Sequence, residues 1–197
     1  MLSSNARPPP CCHTVPHPNP ASSEPSWKDR LEPADALRQN WLLETGSLTR
    51  RLTKLSTDSF AVVPAHEDWA LLRDDECVAL GLPAGSTGWV REVYLNGNGR
   101  PWVFARSVAG QQALKQDGFP LVALGSRSLG ELLFVNGGFS RGPIEVGHYP
   151  PDWLPGMQVA EAPWARRSRF DRGSLGILVT EVFLPELWAL LDPTETP

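Results

Sequence analysis

Residues 88–108 read GWVREVYLNGNGRPWVFARSV, two runs of alternating character joined by Asn96, Gly97, Asn98 and Gly99. Successive side chains of a strand point to opposite faces, so Trp89, Arg91, Val93 and Leu95 share one side of the first run. The same count groups Arg106 with Trp102, Phe104 and Val108 in the second. Asn-Gly steps supply the positive φ that tight turns require, and the stretch predicts a β-hairpin with an arginine on each apolar side. Over Leu175 to Leu184, alternation puts Glu181 with Ile177, Val179 and Phe183. Two cations and one anion are therefore expected to face inward. A buried charge is costly unless paired or solvated, so surplus positive charge points to a small anionic ligand inside the fold. The alternative is an internal salt bridge plus an arginine that reaches the sheet edge.

Outward from the hairpin the pattern is mixed. Pro33 is read as starting a helix with Leu37, Trp41 and Leu42; Gly46 interrupts it, and Ser47 can cap a second helix bearing Leu48, Leu52 and Leu55. Ser59 to Val63 reads as a short strand, Asp74 to Leu80 as a helical turn, and Ser128 can cap a short helix from Leu129 to Val135. Ile144 to His148 and Trp164 to Phe170 are further strands, and Asp171 to Ser174 turns into the last long one. Consecutive hairpins imply an α+β fold, an antiparallel sheet with helices on one side.

The chain has 197 residues, of which 41% are hydrophobic, enough for one substantial core. The expected organisation is a Pro-rich disordered tail over 1–28, one domain over 29–191 and a frayed end over 192–197. Within the tail, Cys11, Cys12, His13 and His17 are competent metal ligands, but their spacing matches no common zinc site. With 18 basic against 22 acidic side chains there is no electrostatic footprint for nucleic acid. No apolar run approaches a membrane span, no signal peptide is evident, and three cysteines make no disulfide framework. The expectation is a cytoplasmic protein and a monomer.

Familiar catalytic signatures are missing: no G-x-S-x-G, no phosphate-binding loop, no dinucleotide fingerprint and no H-E-x-x-H. A cofactor-free site is expected. His66 and His148 lack fixed-spacing partners and read as surface or loop residues, and the Asn-Gly runs at 96–99 and 136–138 read as turns. Alternation sends Arg166 to one side of its strand and Arg167 with Arg169 to the other.

The strings Trp41-Leu42-Leu43-Glu44, Ser47-Leu48-Thr49-Arg50-Arg51, Trp89-Val90-Arg91-Glu92, Gly99-Arg100-Pro101-Trp102, Ala105-Arg106-Ser107-Val108, Ile144-Glu145-Val146-Gly147, Arg166-Arg167-Ser168-Arg169 and Thr180-Glu181-Val182-Phe183-Leu184-Pro185, with Leu129-Gly130 and Leu133-Phe134 between, occur in an order that resembles chorismate pyruvate-lyase over about Asn40 to Pro185. The resemblance implies an enzyme of ubiquinone biosynthesis that converts chorismate into 4-hydroxybenzoate and pyruvate without a cofactor. It implies a six-stranded antiparallel sheet with helices on one face.

Carried over residue by residue, the resemblance makes Arg91 the group that binds the ring carboxylate and Glu181 the group that meets the hydroxyl at the far end of the ring. Leu48 and Leu129 match positions where backbone touches the ligand, each following a serine at a predicted helix start. Arg106 matches a family arginine and takes a substrate-binding role by charge only. Chorismate is a dianion, so at least two cationic or N–H-rich subsites are needed, for which Arg91 and Arg106 or Arg141 are the candidates. An apolar setting is expected to raise the pKa of Glu181, which could be a base or a positioning group. One departure is a Pro-rich insertion at 148–163, read as a possible lid or block beside the site. The rival reading is an effector-binding domain that senses a small acid without reacting it, which Met1 to Trp27 disfavours by being too short and Pro-rich for a helix-turn-helix. A second rival, a structural protein with buried salt bridges only, predicts no affinity for aromatic acids.

Overall fold

The computed structural model describes residues 24–31, 36–57, 59–136 and 138–192. The hairpin forms as read: β2 (Thr87–Gly97) and β3 (Arg100–Gly110) pair antiparallel around Asn98 and Gly99, whose φ of 53° and 76° are what an Asn-Gly turn supplies. Its register carries one irregularity. Leu95 pairs with Val103 and Asn96 with Pro101, leaving Trp102 as the extra residue of a bulge. Trp102 and Val103 consequently join the same apolar cluster, and alternation counted from Trp102 is wrong by one face beyond it.

Around the hairpin run α1 (Ala36–Leu42), α2 (Leu48–Leu55), β1 (Phe60–Leu71), α3 (Asp74–Leu80), α4 (Gln111–Asp117), α5 (Leu129–Glu131, continued by a wider turn over Leu132–Asn136), β4 (Ser140–Arg141), β5 (Glu145–His148), β6 (Trp164–Arg172), β7 (Leu175–Phe183) and α6 (Pro185–Leu191). The sheet is antiparallel throughout, in the order β1-β2-β3-β7-β6-β4, with β5 also paired to β6. The expected α+β class is observed, with seven strands rather than six. The helix expected to start at Pro33 begins outside the described residues and is seen from Ala36. Strand β1 runs twelve residues instead of stopping at Val63. It is an edge strand with an irregular register at Pro64 and a mostly exposed far half, so it lacks the apolar alternation of a half-buried strand.

Both faces of the sheet are covered. On the first, α1, α2 and α6 close over Val93, Leu95, Val103 and Phe183, while α4, α5 and their connections close over Trp89, Ala109, Phe170 and Ile177. On the second, α3 brings Cys77 and Leu80 against Val90, Val108 and Leu178. Beside α3, the loop after β5 lays Tyr149 and Leu154 over Phe104, Ala165 and Val182. The insertion at 148–163 is thus a cover for the second face.

Arg106 lies under that cover, donating from Nε and Nη2 to Glu76 at 2.6 and 3.0 Å and from Nη1 to Glu92 at 2.7 Å. The N-terminal expectation also needs a change at its inner end. Cys11, Cys12, His13 and His17 lie outside the described residues, but Lys28 exchanges backbone hydrogen bonds with Val146, and Trp27 donates Nε1–H to Asp75 at 3.0 Å beneath the Arg167 guanidinium. A single tryptophan in a polar stretch is invisible to composition, and packing extends past the boundary drawn at 28. No helix among the described residues is long and apolar enough to cross a membrane.

Candidate active site

On the first face, between the two apolar clusters, the sheet is lined by small and polar side chains: Ala105 and Ser107 on β3, Val179 on β7. The space they leave is a cavity roofed by the starts of α2 and α5 and walled by Arg91, Arg141, Arg166 and Glu181. The cavity volume is about 50 Å³, several times what one water needs.

Arg91, 2% exposed, projects from the middle of β2. Its Nε donates to Glu67 Oε1 at 2.9 Å across the β1–β2 ladder, and Nη2 donates to the carbonyls of Gly125 and Arg127 at 2.7 and 3.0 Å. Nη1 has no partner among the described residues. Burial pulls the guanidinium below its ordinary pKa, and the hydrogen bond and charge of Glu67 act the other way.

Glu181 stands on β7 two strands away, separated from β2 by β3, so the two backbones lie roughly 10 Å apart across the sheet. Its carboxylate accepts from Arg166 Nε at 2.6 Å, directly opposite on β6. Arg166 is 1% exposed and also donates Nη1 to the carbonyls of Trp41 and Glu44 at 3.1 and 2.7 Å, capping the end of α1 where cations are favoured. The apolar setting expected for Glu181 is instead an ion pair in which Arg166 is buried and Glu181 half-buried. Arg141, on β4, donates to Ser168 Oγ at 3.1 Å and to the carbonyl of Thr45 at 2.9 Å. Three guanidiniums against Glu67 and Glu181 leave the site with a net positive charge.

Leu48 and Leu129 are the first residues of α2 and α5, so their N–H groups have no intrahelical acceptor, and both line the cavity. Ser47 caps α2 by accepting from Arg50 N, whereas Ser128 leaves its own helix uncapped and instead shares a hydrogen bond of 2.7 Å with Thr49. That bond joins the two helix starts. The leucine side chains belong to the apolar clusters, as an ordinary core reading has it.

A family model described as chorismate lyase matches residues 23–191. The chain belongs to the chorismate lyase family. It is 54% identical over 181 residues to a probable chorismate pyruvate-lyase of Pseudomonas fluorescens, covering 90% of this chain and 97% of that one. It is 59% identical over 160 residues to a probable chorismate pyruvate-lyase of Pseudomonas aeruginosa, with 81% and 90% covered. Among solved structures, the effector domain of PhnF from Mycobacterium smegmatis is similar with a TM-score of 0.51 at 15% identity, covering 73% of this chain and 91% of that one. At that identity the likeness to PhnF is one of fold.

Of the residues expected at the site, Arg91, Glu181, Leu48 and Leu129 meet in one cavity of this chorismate lyase family member and Arg106 does not. Its register partner is Glu92, on the face away from the cavity; alternation groups it correctly with Phe104 and Val108, but with both sides of β3 buried that grouping does not say which face carries the cavity. The insertion at 148–163 does not line the cavity and is no lid over it. Sequence reading missed two partners. Arg166 was sorted to one side of its strand but not joined to Glu181, and Glu67 fell in the part of β1 not recognised as a strand. His66 on β1 and His148, whose ring lies tilted 4.0 Å from that of Trp164, both lie away from the cavity.

Proposed function

We propose that this protein is a cofactor-free chorismate lyase that eliminates pyruvate from chorismate to give 4-hydroxybenzoate for ubiquinone biosynthesis, acting as a cytoplasmic monomer. The observation that carries the reading is a cavity with net positive charge, in a chain of this family, whose arginine and glutamate sit two strands apart.

In this reading Arg91 holds the ring carboxylate through Nη1, joined by the backbone N–H groups of Leu48 and Leu129. Glu181 takes the hydroxyl at the opposite end, oriented by Arg166. The C3–O bond of chorismate breaks, the C4 hydrogen leaves as a proton, the ring becomes aromatic, and the released enolpyruvate takes a proton at its methylene carbon to become pyruvate. Aromatisation drives the step, so the protein supplies orientation, exclusion of water and a place for the proton. Glu181 beside the C4 hydroxyl is the group suited to move that proton.

The test is to incubate purified protein with chorismate and assay both products. Equal amounts of pyruvate and 4-hydroxybenzoate, unchanged by chelator, are expected. Activity lost in chelator and restored by a divalent metal would overturn the cofactor-free reading. Binding of 4-hydroxybenzoate with chorismate decaying at its spontaneous rate would instead identify a sensor of small acids.

A further inference from the structure

The three guanidiniums of the cavity differ in how their charge is met. Arg91 has Glu67 at 2.9 Å and Arg166 has Glu181 at 2.6 Å. Arg141 has no carboxylate within ion-pair distance among the described residues; its two hydrogen bonds go to a hydroxyl and a carbonyl, which orient the group without neutralising it. Its Nη2 has no bond to a described residue, and its guanidinium lies 5.4 Å from the centroid of Phe170, a wall of the same cavity. Burial and the neighbouring Arg166 cation pull Arg141 below its ordinary pKa, against the weaker opposite pull of Glu181 and Glu44. An anion at this point would relieve both penalties.

Chorismate brings two carboxylates, and Arg91 accounts for one. We infer that Arg141 is the binding residue for the second, the carboxylate of the enolpyruvyl ether, and that it makes the cavity favour a dicarboxylate over the monocarboxylate product. The inference rests on the chorismate reading above. It has a direct consequence for the reaction: cleavage of the ether carries the Arg141-bound carboxylate away with pyruvate, so 4-hydroxybenzoate retains no group for Arg141 to hold. The interaction is present in both substrate and transition state, so losing it acts mainly on KM.

The experiment compares wild type, Arg141→Ala and Arg141→Lys. Each is titrated with 4-hydroxybenzoate and with 3-(carboxymethoxy)-4-hydroxybenzoate, which adds an ether-linked carboxylate where chorismate bears its enolpyruvyl group. Pyruvate release from chorismate is measured alongside. Arg141→Ala is expected to weaken the dicarboxylate about ten- to a hundredfold, the range for a charged hydrogen bond, and to raise KM for chorismate similarly. Affinity for 4-hydroxybenzoate, which also reports that the cavity is intact, should change less than about threefold, and Arg141→Lys should recover part of the dicarboxylate affinity. Equal weakening of both acids, or no change in either, overturns the inference. Wild-type protein that releases pyruvate while Arg141→Ala keeps its KM leaves the lyase reading standing without this subsite. Wild-type protein that prefers the dicarboxylate through Arg141 but releases no pyruvate leaves the subsite without the lyase.

Discussion

Replacing Arg106 by leucine separates the role that sequence suggested from the one its surroundings give it. Its three hydrogen bonds, at 2.6 to 3.0 Å, go to Glu76 and Glu92, which are 3% and 8% exposed. Burial opposes the Arg106 charge, but these carboxylates hold the guanidinium above its ordinary pKa. Arg106→Leu would leave both carboxylates buried without their cation, a situation that destabilises proteins by about 3–5 kcal/mol. Glu76 keeps the backbone N–H of Arg73 at 3.0 Å, which favours the lower end, about 3 kcal/mol. In a domain of this size that corresponds to a fall in Tm of about 6–12 °C. The triple variant Glu76→Gln, Glu92→Gln, Arg106→Leu removes the stranded charges and should recover most of the loss. Urea unfolding reads the stability, and calorimetric titration well below Tm reads the site. Because Arg106 faces away from the cavity, affinity for 4-hydroxybenzoate should stay within about twofold of wild type, since distant sites act nearly independently. A drop of tenfold or more in that affinity with Tm unchanged would refute the assignment of Arg106 to the second face.

Arg91→Ala should weaken 4-hydroxybenzoate by about 1.5–3 kcal/mol, the range for a lost charged hydrogen bond, and calorimetry showing wild-type affinity would remove Arg91 from the site. Glu181→Gln keeps the shape of the side chain, so pyruvate release should fall about tenfold or more while product affinity changes less; wild-type turnover would exclude Glu181 from the chemistry. Burial pushes the Glu76 carboxyl up, but the Arg106 cation, its hydrogen bonds and Arg73 outweigh that and leave it below the usual range. The stability it contributes is present above its unfolded pKa, near ~4.3, and is lost as pH falls through the lower folded value, so Glu76→Gln should flatten urea midpoints below about pH 4. Burial, with Glu92 and Tyr149 nearby, pushes the Tyr94 hydroxyl up to about 12. The folded state therefore holds that proton more tightly, stability declines above about pH 10, and Tyr94→Phe should lessen the decline. Trp27→Ala removes the hydrogen bond to Asp75 and the contact with Arg167, and thermal unfolding should register about 1–3 kcal/mol; no change would return Trp27 to the tail.

Alternation made Arg91 and Glu181 legible because each sits in an uninterrupted run whose one side meets the cavity. It also placed Arg106 correctly with Phe104 and Val108, but could not tell which face of the sheet that side belongs to. Both sides of β3 are buried, so apolarity could not distinguish them, and the bulge set Trp102 on the opposite face from the residues it alternates with. The far half of β1 was illegible because an exposed edge strand has little to alternate, and with it went Glu67, the partner of Arg91. Tyr149, Leu154 and Met157 carry the second-face cover without any period, so their apolar character was visible but its destination was not. Arg166 was placed on its strand correctly; what sequence lacked was the register with β7 that sets it opposite Glu181.

The double covering of the central strands sets how the site can fail. Backbone segments exchange their amide hydrogens through whatever opening exposes them, and elements enclosed on both sides open only when the whole domain does. Strands β2, β3 and β7 are of that kind, and two of them carry Arg91 and Glu181. The distance between those residues is therefore guarded by the global unfolding free energy. Warming toward the transition depletes the population of intact sites and leaves the geometry of the survivors as it was.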